Sequence, residues 1–203
     1  MFSGSARAFR PRQRLQQRLT TFASQVYPIH GLAEFARATG SPVPSEAVRA
    51  ADRLVERQGT LGQWWWVYSA RTGELLEGYP VYSVHQHAMA LMALAPLQSL
   101  GLGDYRDPLQ HGLQWIFGRN ELGTSLVDDG RQLVVRCVQP RGGAGDGPMG
   151  LSRGRWIRVV VSSWANRSGD RASATPGELE ILQECRPYEL GWLLYARSLI
   201  SSW

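Results

Sequence analysis

The sequence predicts a mainly α-helical chain built from antiparallel helical hairpins, and three observations carry that expectation. A Tyr-x-x-His tetrad at Tyr27–His30 recurs at Tyr82–His85, each time leading into an apolar segment. Each such segment is followed by a second one whose apolar residues recur at helical spacing. A third candidate opening is Tyr188 in "RPYELGWLLYARSLISSW". The offsets between copies, His30 to His85 and Arg49 to His111, are 55 and 62 positions. The difference of seven is about two helical turns, which a longer first helix absorbs.

Taken in order, the chain opens on an acid-free, arginine-rich stretch, with Arg7, Arg10, Arg12, Arg14 and Arg18 before the first acid at Glu34. Residues 1–24 are therefore expected to form a basic, disordered segment. Its composition suits a transit peptide or a ragged start. Residues 25–203 are expected to form one helical-hairpin domain. "GLAEFARATG" supplies the first helix. The second begins after Ser45, with Ala47, Ala50, Ala51, Leu54 and Val55 at i, i+3, i+4, i+7 and i+8. "RLVERQGTLGQWWW" (53–66) follows, where three consecutive tryptophans raise the choice between packing and a binding wall.

The next helix is expected from Val84 under a Ser83-x-x-Gln86 capping box. It is apolar on every side from Ala88 to Ala95, as a helix enclosed by protein would be, and Pro96 marks its last turn. Asp107-Pro108 opens its partner, with Leu109, Leu113, Ile116 and Phe117 on one stripe. Asp128-Asp129-Gly130 reads as a turn between two strand-like runs. The glycine-rich stretch 139–154 reads as an insertion. "RWIRVVVSSW" (155–164) has strand propensity, but the repeat places a helix there.

Charge excludes some functions. All 22 basic residues are arginine, and removing the five at the start leaves 22 − 5 = 17 against 17 acids. A neutral body argues against nucleic acid as a partner. No run has the ~20 apolar residues of a membrane span. Cys137 and Cys185 lie 185 − 137 = 48 positions apart with no paired spacing, which points to a reducing, cytoplasmic setting and to no metal knuckle. No cofactor-binding signature is present either.

Arg49-Ala50-x2-Arg53-Leu54-x3-Gln58-x3-Gly62-x-Trp64 resembles the QW motif of the terpenoid cyclase and protein prenyltransferase superfamily, with Arg53 where the motif keeps an aromatic. His111-Gly112-x2-Trp115-Ile116-x3-Asn120-x2-Gly123 resembles a second, degraded copy. The stretches "GQWWWVYSARTGELLEGYPVYSVHQHAMALMAL" and "ELEILQECRPYELGWLLYA" are similar to an uncharacterised bacterial family of that class. The resemblance implies an α/α toroid in which Gln58, Gly62 and Trp64 join adjacent outer helices. At about 60 residues per hairpin, 203 residues hold roughly half a closed ring. An open or partial ring, a truncated product or half of a self-associating assembly is therefore expected.

The reactions of that superfamily find no support in the residues. Leu126 replaces the first acid of an Asp-x-Asp-Asp motif, and no Asp, Cys and His set has zinc-ligand spacing. Two readings stay open. One is an enzyme acting on a bulky glycan or isoprenoid-type ligand in the ring's concavity. The other is a non-catalytic helical-repeat binding protein or an inactive fragment. Candidate ligand contacts are Trp65, Trp66, Tyr68, Tyr79 and Tyr82, whose flat faces suit either ligand. His87 and His85 are the candidate catalytic groups, because imidazole titrates near neutrality. Possible partner acids are Glu121, Asp128, Asp129, Glu180 and Glu184. An acid and His87 facing one pocket would favour the enzyme.

Overall fold

The computed structural model describes residues 18–142, 151–165 and 175–200. Strand β1 (Leu19–Thr21) leads directly into helix α1 (Phe22–Thr39), followed by α2 (Ser45–Glu56). A hairpin of β2 (Val67–Ser69) and β3 (Leu75–Glu77) precedes β4 (Val81–Tyr82), α3 (His85–Ser99) and α4 (Arg106–Ile116). Then come β5 (Val127–Asp128), β6 (Leu133–Val134), β7 (Cys137–Pro140), α5 (Arg153–Ala165), β8 (Leu179–Leu182) and α6 (Pro187–Ser198).

The expected fold class is overturned. Of the described residues 49% are helical and 14% lie in strands, in three small antiparallel sheets, so the chain is mixed α/β and not a toroid of helical hairpins. The sheets are ordered β1-β2-β3, β4-β7-β8 and β5-β6. The physical reason lies between the helices. Each second helix is followed by a turn and short strands whose backbone groups need partners, and distant segments supply them. Leu19 pairs with Ser69, and Cys137 pairs with Leu182.

Helix α1 starts earlier than the tetrad suggests. Thr21 caps it, its side chain accepting from the Ser24 N–H at 3.2 Å. The body of the fold thus includes residues placed by sequence in the basic segment, whose first 17 lie outside the described residues. The repeat's expectation of a helix over 155–164 agrees with α5. The middle of the glycine-rich stretch, 143–150, lies outside the described residues, while Gln139 and Pro140 belong to β7.

The capping box expected at α3 does not form. Ser83 Oγ donates instead to the carbonyls of Val135 and Arg136. Gln86 donates to the Trp64 carbonyl and accepts from the Tyr82 N–H. Both side chains tie the helix start to neighbouring segments, and the helix begins without a side-chain cap. Beyond it, α3 is buried on every face from Gln86 to Leu91 and from Ala93 to Leu97. It touches α1, α2, α4 and α6, so it forms the axis of the core. Among the described residues no helix is long and apolar enough to cross a membrane.

Candidate functional site

The three tryptophans point to three different neighbourhoods. Trp64 is buried against Phe22, with ring centroids 5.7 Å apart. Trp65 meets Tyr79 edge-on at 5.8 Å, and Trp66 meets Tyr82 edge-on at 5.2 Å. Just before them the chain is pinned to α4. Gln58 Nε2 donates to the Pro108 carbonyl at 2.8 Å and to the Gly62 carbonyl at 3.2 Å. Gly62 has φ +95°, and a Cβ there would stand 2.3 Å from the His111 carbonyl oxygen, so only glycine fits this crossing. The second motif copy works differently. Asn120 stays within its own turn, donating to Trp115 and Thr124 carbonyls.

His87 is 2% exposed and stacks on Trp115 with centroids 4.8 Å apart. Neither ring nitrogen meets a hydrogen-bond partner. Burial depresses its pKa from 6.5 to about 3, and the Gly112 backbone opposes this only in part. It is a neutral ring at physiological pH, and no hydrogen bond joins it to any of the acids weighed as its partner.

Four of those acids are engaged elsewhere. Glu121 accepts from Tyr79 Oη, from Trp115 Nε1 at 2.8 Å and from Gln63 Nε2 at 3.0 Å. Burial, followed by the Glu121 carboxylate, pushes the Tyr79 phenol well above its ordinary range. Asp128 accepts from the Arg131 N–H at 2.9 Å in the β5–β6 turn, next to Asp129. Glu180 accepts from Gln139 Nε2 at 3.1 Å and the Gly142 N–H at 3.2 Å. Glu184 pairs with Arg136 and Arg186, and Arg136 holds its carboxyl below the usual range. Among the described residues no three His, Cys, Asp or Glu side chains gather as a metal ion requires.

Two places do bring candidate groups together. At the first, Trp66, Tyr82 and His85 meet Tyr188 and Trp192 of α6. His85 lies 5.8 Å from Tyr82, 5.5 Å from Tyr188 and 5.2 Å from Trp192. The Arg136 guanidinium sits 5.3 Å from the Tyr82 ring centroid, and its Nε has no hydrogen-bond partner. Tyr188 is the most open ring, at 43% exposure. Sequence reasoning found Trp66, Tyr82 and His85 but missed Tyr188 and Trp192 as site residues, although their i, i+4 spacing was a readable signal.

The second place was not foreseen. A cleft of about 420 Å³ lies between α2, the start of α1 and the β2–β3 turn, lined by Arg49, Arg53, Arg57 and Arg71 with Gln25 and Tyr68. Of the expected ligand contacts only Tyr68 reaches it. It is 2% exposed, and its hydroxyl makes no hydrogen bond. Burial holds the phenol above its ordinary range, with the Trp65 backbone and Arg57 offsetting this in part.

No family model, curated protein or solved structure matches the chain.

Proposed function

We propose that this chain is a binding protein rather than a catalyst, and that its aromatic face takes the apolar side of a glycan. The carrying observation is the meeting of Trp66, Tyr82, His85, Tyr188 and Trp192 beside charged side chains. Aromatic rings meet the C–H faces of a sugar, and adjacent polar groups bond its hydroxyls. Arg136, Glu184 and Arg186 stand in that polar position. An isoprenoid chain offers them no partner. Against catalysis stand the depressed pKa of His87 and the absence of an acid bonded to it. Cys137 and Cys185 are not joined in a disulfide, which suits a reducing, cytoplasmic setting. Self-association is part of the same reading, because α1 and α6 leave Tyr27, Phe35, Leu194 and Tyr195 exposed.

The test is a glycan-array screen followed by calorimetry on the ligands found, using wild type and Tyr188→Ala. Loss of one ring contact is expected to weaken binding about three- to tenfold. Unchanged affinity in the variant, or binding of isoprenoid diphosphates in place of glycans, would overturn the reading. Turnover of a bound glycan would return the protein to the enzyme class.

A further inference from the structure

We infer that the arginine-lined cleft beside α2 is a binding site for an organic phosphate, independent of the aromatic face. Arg49, Arg53 and Arg57 follow one another at intervals of four residues, so one side of α2 and its C-terminal cap brings three guanidinium groups to one wall. Arg71, in the β2–β3 turn, adds a fourth. Among the described residues two acids oppose the arginines of α2 and its cap. Glu46 pairs with Arg49 at 2.9 Å on the exposed rim, and Glu74 takes both terminal nitrogens of Arg57, at 2.6 and 2.7 Å. Arg53 has no ion pair among the described residues and is exposed. It is also the residue that stands where the resembling motif keeps an aromatic ring, so that departure sets a guanidinium at the cleft.

The uncharged polar groups of the wall have the same sense. The Tyr68 hydroxyl proton finds no acceptor, and Gln25 Nε2 is buried without a partner. Leaving a buried donor unmatched costs about 1–3 kcal/mol, so two at one cleft call for an acceptor. A wall of guanidinium, phenol and amide donors is complementary to an oxyanion with several acceptor oxygens. A volume of about 420 Å³ falls in the range of small-molecule sites and exceeds what a bare phosphate fills. The ligand class is therefore a phosphate monoester carrying an organic group.

The test is calorimetry with phenyl phosphate and with inorganic phosphate at constant ionic strength, chloride serving as the control anion. Saturable binding is expected, tighter for phenyl phosphate. Arg53→Gln is expected to weaken it about tenfold, the value of one charge-assisted contact. Tyr68→Phe is expected to weaken it less, and Tyr188→Ala to leave it unchanged. Co-sedimentation with phosphatidylcholine vesicles carrying a tenth of phosphatidylinositol phosphate separates sources. Binding to vesicles as well identifies a lipid headgroup, and binding to the soluble ester alone identifies a free metabolite. No saturable binding beyond chloride, or wild-type affinity in Arg53→Gln, would overturn the proposal. Should Tyr68→Phe fail to fold, Arg53→Gln, altered at an exposed position, still decides.

Discussion

Replacing His87 by leucine should remove a pH dependence from stability while costing little at neutral pH. In the folded state the imidazole has a pKa of about 3, against 6.5 for the free group. As pH falls below 6.5 the unfolded chain takes up a proton that the folded chain refuses, so acid favours unfolding. The stability at stake is fully present above 6.5 and is lost progressively between 6.5 and about 3. At about pH 5 the unfolded group is some 1.5 units below its pKa, which at 1.36 kcal/mol per unit is a loss of about 2 kcal/mol. That figure depends on the unfolded pKa and hardly on the folded one, which lies well below the measuring pH. Urea unfolding followed by tryptophan fluorescence, at about pH 7 and about pH 5, measures it. Exposed carboxylates titrate in both proteins and cancel in the difference. At about pH 7 the leucine loses the stacking on Trp115 but buries no unmatched nitrogen, so the two changes, each about 1 kcal/mol, nearly offset. Equal losses on acidification in wild type and His87→Leu would refute the assignment of His87 as a neutral core ring.

Two further substitutions test the frame around both candidate sites. Arg155 Nη2 bonds Glu77 Oε1 at 2.5 Å with both side chains largely buried, and this pair fastens α5 to β3. Arg155→Ala leaves the buried carboxylate without its counter-charge and is expected to cost about 3–5 kcal/mol, with amide exchange rising first in α5; a loss under about 1 kcal/mol would show the pair to be dispensable. Gly62→Ala puts a methyl group 2.3 Å from the His111 carbonyl at φ +95°, so thermal unfolding should show a loss of at least about 2 kcal/mol. Retention of wild-type stability there would mean that the crossing between the motif loop and α4 is loose.

The helices were legible because each carries its own evidence. In α2 the buried residues Ala47, Ala51 and Leu54 fall on the stripe read from the sequence, and α3 is apolar all round because it is enclosed. The β5–β6 hairpin was read, as a turn at Asp128-Asp129-Gly130 between two strand-like runs, but the other strands were not legible, for two physical reasons. They are two to four residues long, too short for an alternation of period two to register, and β2 is buried at all three positions, which erases the alternation. The pairing of β1 with β2, of β4 with β7 and of β7 with β8 is also non-local, as with Leu19 and Ser69, and no local pattern contains it. The aromatic cluster was half legible for the same reason. Trp66, Tyr82 and His85 are close in sequence, whereas α6 arrives about a hundred residues later. His87 shows the opposite failure. An imidazole able to titrate near neutrality suggested chemistry, but the helix period also turns it toward Trp115 and Gly112, where water is excluded.

The charge count deceived in a more instructive way. Seventeen arginines against seventeen acids make the body neutral, and neutrality argues against any extended basic surface. A sum over the chain carries no information about a cleft, however, because a pocket is decided by the few charges at its wall. Glu34 and Asp104 are spent on the neighbouring arginines Arg37 and Arg106, none of which lines the cleft. Glu46 of α2 pairs with Arg49 at the rim and Glu74 engages Arg57, so of the three arginines at four-residue intervals Arg53 brings the guanidinium with no ion pair among the described residues to the wall beside Tyr68. Spacing, which is visible in the sequence, was the informative quantity. The i, i+4, i+8 arginines were readable as one helical face, and what remained hidden was that β1, α1 and the β2–β3 turn close over that face to make it concave. A single extended helix with the same residues would present a solvated stripe, where each guanidinium is screened by water and worth little. The same stripe walled by a buried phenol and amide is expected to select for oxyanions, and the strands that sequence reading missed are what supply that wall.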